Sequence, residues 1–261
     1  MLSDLVSIIT PTYNSSDTIL ETYQSILAQT YTHWEWLVTD DCSSDDTYKM
    51  LEQLSASDSR IKIYQNPSNL GAALARNNSI GYASGQFLAF IDSDDLWMPN
   101  KLAIQLDRMA TLGIDFSFTA YMVVDVDNQP VSQTQGVDLK LTAPMTYRDM
   151  LRKKATLGCS TVMLRKSAFK DLEMPLLRSG QDYAFWLKLL RGGKIAYPIP
   201  QVLMRYRIVP GSVSRNKYRK ALRQWQIYRE IEKLSLTTSL YCFVSYALRA
   251  VTREVTLALK K

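Results

Sequence analysis

Between Thr10 and Ile19 the chain reads Pro-Thr-Tyr-Asn-Ser-Ser-Asp-Thr, without a glycine. A first loop of that kind is neither a GxGxxG turn nor a P-loop, so backbone amides cannot cradle a pyrophosphate there. Histidine occurs once, as His33. The three cysteines, Cys42, Cys159 and Cys242, are widely spaced and form no CxxC. That excludes a disulfide framework and a zinc knuckle, and it suits a reducing compartment, with the cytoplasm as the default. No stretch of about 18 residues runs free of charge and strong polarity, so a membrane-spanning helix is not expected. Met1-Leu2-Ser3-Asp4 carries no basic region and is not expected to be a signal peptide. Internal repeats, low-complexity tracts and linkers are also missing.

What remains is an ordinary globular composition of 261 residues, 46% hydrophobic and 21% charged. This is enough chain for one large domain with a sizeable core. The net charge of +6 is unevenly spread. Residues 1–100 carry a balance of −9, residues 101–214 one of +7, and residues 215–261 one of +8. An acidic first third that binds an anion needs a metal ion between them. A basic tail suits an anionic surface such as a lipid headgroup layer, or is simply a solvated helix face.

Leu5–Thr10 is a short apolar run of the buried-strand type. A helix is expected from Ile19 to about Gln29, then a strand at Trp34–Thr39 and a helix opening at Ser44-Asp45-Asp46. Ile61–Tyr64 is a third strand, followed by a small-residue helix to Ser84 and a fourth strand at Phe87–Ile91. This alternation predicts an α/β fold with a mostly parallel, doubly wound central sheet. Pro99 opens a helix over Asn100–Leu112. Further strands are expected at Phe116–Val126, at Cys159–Leu164 and, as an edge, at Val202–Arg207. Asp127-Asn128 should turn the chain into a hairpin with Pro130–Gln135, and Asp182–Leu190 should be a helix. Residues 136–157 show no clear pattern. The division expected is a domain over 1–214 and a basic amphipathic helical extension over 215–261.

Ligands of open α/β sheets bind at the carboxyl ends of the strands. Three polar clusters fall there: Thr10–Asn14, Asp40-Asp41, and Asp92-Ser93-Asp94-Asp95. Crowded carboxylates repel one another unless a cation binds between them. Mn²⁺ or Mg²⁺ would take one or two of them and leave positions open for phosphate oxygens. The competing reading makes Asp94 or Asp95 a cap for the helix at Pro99.

Ser7–Asn14, Asp40–Thr47, Asn69-Leu70-Gly71 with Ala75-Arg76-Asn77, Phe90–Asp95, and Gly180-Gln181-Asp182 resemble, in order, the motifs of family 2 glycosyltransferases of the GT-A fold. Tyr206–Ser214 resembles the bacterial enzymes that build teichuronic-acid, capsule or O-antigen polysaccharides. The resemblance implies a Rossmann-like α/β/α sandwich and an inverting, metal-dependent transfer from a UDP-sugar to a saccharide acceptor on a lipid such as undecaprenyl diphosphate. Thr10, Pro11, Tyr13, Asp41, Arg76, Asp92 and Ser93 would bind the nucleotide-sugar. Asp94 and Asp95 would hold the metal, and Asp182 would be the general base. Relatives with a histidine near Val209 use it at the metal or diphosphate. Its absence leaves Arg205, Arg207 or Arg215 for the diphosphate, while Trp186 is either core or a platform for a sugar ring.

In the extension, Leu240, Phe243, Val244, Ala247, Leu248, Val251 and Val255 share a helical face, with Arg249, Arg253, Lys260 and Lys261 mostly off it. This predicts peripheral attachment to the inner face of the cytoplasmic membrane, or packing on the domain or on a second copy in a homo-oligomer. No nucleic-acid-binding motif is present. Two other functions remain: a non-catalytic nucleotide- or glycan-binding scaffold, and a sugar nucleotidyltransferase, disfavoured by the missing glycine loop.

Overall fold

The computed structural model describes residues 4–131, 141–208 and 217–258, except for the side chains of residue 217 and residues 251–258. The first half alternates strand and helix as expected: β1 (Val6–Thr12), α1 (Ile19–Leu27), β2 (Trp34–Asp40), α2 (Thr47–Ser57), β3 (Ile61–Gln65), α3 (Ala72–Tyr82) and β4 (Phe87–Phe90). β1, β2 and β4 are buried at every position, which is why they read as continuous apolar runs. They pair in parallel in the order β3-β2-β1-β4. Thr12 stands opposite Asp40, and Ile91 N–H donates to Ile9 O at 3.1 Å, so three strand ends open onto one edge.

The second half extends the sheet with mixed polarity. β5 (Leu96–Trp97), α4 (Lys101–Leu112), β6 (Phe116–Val124), α5 (Tyr147–Leu151), β7 (Val162–Arg165), α6 (Gln181–Arg191) and β8 (Tyr197–Arg207) follow in sequence. The sheet continues from β4 as β7-β6-β8-β5. β7 runs antiparallel to both β4 and β6, whereas β6 and β8 are parallel.

Several sequence expectations change. β8 begins five residues early and is not a bare edge, because Leu96 and Trp97 pair with Arg205 and Met204. A two-residue strand carries no periodicity to read. The Cys159–Leu164 segment divides into a 3₁₀ turn at Cys159–Thr161 followed by β7. α5 arises from a capping box, Thr146 to Asp149, in the stretch without visible pattern. The turn at Asp127-Asn128 is present, with Val131 N–H donating to Val123 O at 3.1 Å. Residues 132–135 of that expected hairpin lie outside the described residues.

The extension packs as α7 (Lys217–Gln226), a π-turn over Ile227–Ile231, and α8 (Leu236–Ala258). Ile227, Tyr228 and Cys242 join the core cluster of β4, β6 and α6. The Tyr228 hydroxyl donates to Leu151 O at 2.5 Å, and Glu232 accepts from Tyr147 at 2.5 Å and Arg191 at 2.7 Å. Among the described residues, no helix is long and apolar enough to cross a membrane.

Candidate active site

The loops after β1 and β2 are laced together by short polar side chains. Ser44 N–H donates to Asn14 Oδ1 at 2.8 Å, and Asn14 N–H donates to Ser43 Oγ at 2.9 Å. Asn14 and Cys42 both take positive φ, of 49° and 63°. Asp41 is 3% exposed and organises the next loop. Its Oδ1 accepts from Asn66 Nδ2 at 2.7 Å and Leu70 N–H at 2.9 Å, and its Oδ2 from Gly71 N–H at 2.7 Å. Gly71, at φ 98°, leads into α3. Arg178 closes over that loop with Nη1 2.7 Å from Asn69 Oδ1 and Nη2 3.2 Å from Asn69 O.

α3 points Arg76 inward, not to the surface. It is 4% exposed and pairs through Nη2 with Asp92 Oδ1, while its Nε and Nη1 are buried without partners. Burial opposes the charge, but Asp92, followed by Cys159 and Asp182, more than restores it. Asp182, from α6, contributes to that field through its charge, without a hydrogen bond or ion pair to Arg76. The Cys159 thiol beside them is pushed well up by burial, against the pull of Arg76, so it stays protonated and unreactive.

The Asp92–Asp95 segment is a tight turn, with Asp95 N–H donating to Asp92 O at 3.1 Å. Ser93 O accepts from Thr18 and Thr22, and Ser93 Oγ shares a hydrogen with Ser15 Oγ at 2.8 Å. The two remaining acids have different environments. Asp95 is 1% exposed, with Oδ2 accepting from Ser160 Oγ at 2.5 Å and Oδ1 from Arg207 N–H at 3.2 Å. Both of its oxygens are occupied by the chain itself, so Asp95 fixes the turn. Burial, then Asp94 and Asp92, pushes its carboxyl well up.

Asp94 accepts only from its own amide among the described residues, and it is pushed up to about 6 by burial and then by Asp92. A half-buried carboxylate without donors, next to Asp92 and its free Oδ2, is the donor set that a hard divalent cation completes. No cluster of three or more His, Cys, Asp or Glu capable of holding a metal occurs among the described residues. Phosphate oxygens would have to supply the rest of the shell. The helix-cap alternative for these acids does not hold, because α4 starts after Asn100 and has no side-chain cap.

Asp182 is in the first turn of α6, after Gly180 at φ 70°. Among the described residues it makes no hydrogen bond or ion pair. The turn before it is braced from α7. Arg223 Nε donates to Ser179 Oγ at 3.2 Å, and a Cβ built on Gly180 would lie 3.1 Å from Ile227 Cδ1. Ser160, Arg178 and Arg223 were invisible to sequence reasoning. Their partners lie 65, 109 and 44 residues away, and no local pattern marks such pairings.

Other expected residues land elsewhere. Trp186 is core, not a sugar platform: it has no exposure and stands edge-on to Phe90 and Phe116 at 5.5 Å. Thr10 is also withdrawn from a pocket wall, because it is fully buried and its hydroxyl accepts from Trp36 Nε1 at 2.8 Å. Pro11 beside it is buried, whereas Tyr13 is 48% exposed and available to stack on a base. Arg207 is buried and commits Nη2 to Glu21 at 2.5 Å and Asn128 at 3.2 Å, while still acting on Asp94 through its charge. Arg205 is half-buried beside β5. Arg215, with Val209, Ser212 and Ser214, lies outside the described residues.

The chain is 42% identical over 253 residues to the putative teichuronic acid biosynthesis glycosyltransferase TuaG of Bacillus subtilis, covering 96% of this chain and 98% of that one. Over 227 residues it is 40% identical to WfgD of Escherichia coli, a UDP-Glc:α-D-GlcNAc-diphosphoundecaprenol β-1,3-glucosyltransferase, covering 85% of each. Among solved structures, S. aureus TarS in complex with UDP-GlcNAc superposes with a TM-score of 0.70 at 25% identity, over 86% of this chain and 64% of that one. The model of glycosyl transferase family 2 matches residues 7–173, which include every strand end described above but stop short of Asp182. With its sheet, its acidic turn and these relatives in agreement, the chain belongs to glycosyl transferase family 2, as a glycosyltransferase of the GT-A fold.

Proposed function

We propose that this enzyme transfers a sugar from a UDP-sugar to a hydroxyl of a lipid-linked saccharide, with inversion at the anomeric carbon. The observation that carries the reading is the acidic turn after β4, where Asp94 keeps a carboxylate that no other residue's donor occupies, two residues from Asp92, which pairs with the buried Arg76.

The donor's uracil would lie over the Asp41-held loop, against Tyr13, with the diphosphate towards the unpartnered Nε and Nη1 of Arg76. Asp92 and Ser93 would face the ribose. Asp94, with Asp92 beside it, would hold Mn²⁺ or Mg²⁺, and a bound metal supplies Lewis-acid stabilisation of the charge on the departing diphosphate. Asp182 accepts the proton of the acceptor hydroxyl while that oxygen bonds to the anomeric carbon and the bond to the UDP oxygen breaks. Of the three arginines, Arg207 acts through its field on Asp94, and Arg205 and Arg215 remain candidates for the diphosphate. WfgD is named for an acceptor on diphosphoundecaprenol. An acceptor of that class would bring the enzyme to the inner face of the cytoplasmic membrane.

The test is thermal unfolding with UDP and GDP, with and without Mn²⁺, on the wild type and Asp94→Ala. A ligand that binds only the folded protein raises the melting temperature by mass action. The expected result is a UDP response that requires Mn²⁺ and disappears in Asp94→Ala. Equal responses in both proteins would remove Asp94 from the metal site.

A further inference from the structure

α8 is apolar on two opposite faces. The inner face carries Ser239 and Cys242, both buried, with Phe243 edge-on to Trp225 at 5.6 Å and Ser245 Oγ donating to Arg152 O at 3.1 Å. Phe243, expected on the outward stripe, therefore belongs to the docked side. The outer face carries Leu236, Leu240, Val244 and Leu248 at four-residue intervals with Tyr241 alongside, all between 49% and 62% exposed. By sequence the stripe continues at Val251 and Val255. A helix whose second face is a continuous apolar stripe is incomplete in water.

We propose that this outer face of α8 docks in the plane of an anionic lipid surface. The proposal rests on the lipid-linked acceptor assigned above. Charge selects lipid over a second copy of the chain. Residues 215–261 hold 11 Lys and Arg against 3 Asp and Glu, and Arg229, Lys233 and Arg249 are exposed on the described part. A symmetric pairing of this face would set two such segments of +8 against each other, whereas anionic headgroups attract them. Residues 1–100, which bear most of the donor site, carry −9.

Docking at α8 also sets the position of Asp182. Between them, Arg223 holds Ser179, Ile227 fills the space over Gly180, and Tyr228 and Glu232 fasten to Leu151, Tyr147 and Arg191. The base is therefore keyed through packed groups to the surface on which a lipid-linked hydroxyl would be presented.

The experiment is flotation of the full chain with vesicles of phosphatidylcholine, alone or mixed with phosphatidylglycerol. The wild type is compared with Leu240→Ser/Val244→Ser/Leu248→Ser and, separately, with Val244→Asp. The wild type should float with the anionic vesicles only and release as salt is raised. Both variants should lose about tenfold or more in vesicle affinity, with melting temperature, UDP response and transfer to a soluble saccharide unchanged. Failure of the wild type to bind, or equal binding by the variants, would overturn the proposal. So would a dimer in sedimentation that the variants convert to monomer, since a second copy would then cover the face. Vesicle binding without transfer would remove the enzymatic reading and leave the docking face standing.

Discussion

The Ser160 hydroxyl donates to Asp95 Oδ2 at 2.5 Å and accepts from Asp92 N–H at 3.0 Å. One buried side chain from the 3₁₀ turn ahead of β7 thereby ties both ends of the acidic turn. Ser160→Ala would leave a buried acceptor and a buried donor unpaired, at an expected cost of about 2–3 kcal/mol. Urea unfolding would read that loss. Metal-dependent UDP affinity should fall with it, because the turn that aims Asp94 loses its anchor; an unchanged affinity would show that Asp95 is held adequately by Arg207 N–H alone.

The Asp94 carboxylate is held at the expense of stability. Its folded pKa, about 6, lies above the value of an unfolded aspartate, so ionisation above pH 6 weighs against the fold and protonation below it favours the fold. Asp94→Asn should stabilise the metal-free protein at pH 7.5 by about 1–2 kcal/mol while abolishing the Mn²⁺-dependent UDP response. Calorimetry at pH 5 and pH 7.5 checks the sign, since the gain should shrink at the lower pH.

Arg76→Lys tests the buried cation paired with Asp92. A lysine keeps the charge but not the fork that lets Arg76 hold Asp92 with one nitrogen and present two others. UDP affinity measured by titration calorimetry should drop about tenfold or more, with far-ultraviolet circular dichroism unchanged.

Gly180 and Gly113 form a matched pair. Both take positive φ, 70° and 61°, but a Cβ meets Ile227 at 3.1 Å at Gly180 and nothing within 4 Å at Gly113. Alanine at either should cost roughly 1 kcal/mol for the backbone conformation. Only Gly180→Ala should cost more than that and lower kcat with little change in donor KM, because it displaces the turn carrying Asp182. Asp182→Asn should leave UDP binding intact and lose transfer altogether. Steady-state kinetics on the three variants separate these effects.

Lys101 is fully buried beneath Trp97, 4.2 Å from the ring centroid, with Gln105 as its hydrogen-bond partner. Desolvation lowers its pKa to about 7. Between pH 7 and the ordinary lysine range the unfolded chain binds a proton that the folded one does not, so stability should rise with pH across that window and level off below it. Lys101→Met should flatten the slope, as measured by chemical unfolding at several pH values.

The βα alternation of residues 6–90 was legible because β1, β2 and β4 are buried on both faces and read as continuous apolar runs between polar turns. The strand-end positions of Asp41 and Asp92 followed from that alternation. β5 was not legible, since two residues have no period, and α5 was hidden although its Thr146-x-x-Asp149 box was written in the chain. By sequence, Trp186 stands open between core and sugar platform, and Thr10 reads as pocket wall, for another reason. A tryptophan on a helix and a threonine at a strand end look alike whether they face a ligand or a core, and only the neighbours Phe90, Phe116 and Trp36 distinguish the two.

Side-chain type and spacing were thus sufficient for the parallel half of the sheet, the acidic turn and the family resemblance, all of which depend on residues close together along the chain. Tertiary structure alone decided which acid is free and which is spent: Asp94 accepts only from its own amide, whereas Asp95 is consumed by Ser160 and by the amide of Arg207, 112 residues away. It also decided that Arg76 pairs with Asp92, and that α7 props the turn before Asp182 while α8 leaves one apolar face uncovered. These are facts about hydrogen-bond satisfaction and burial between distant segments, and such satisfaction exists only once the chain has closed on itself.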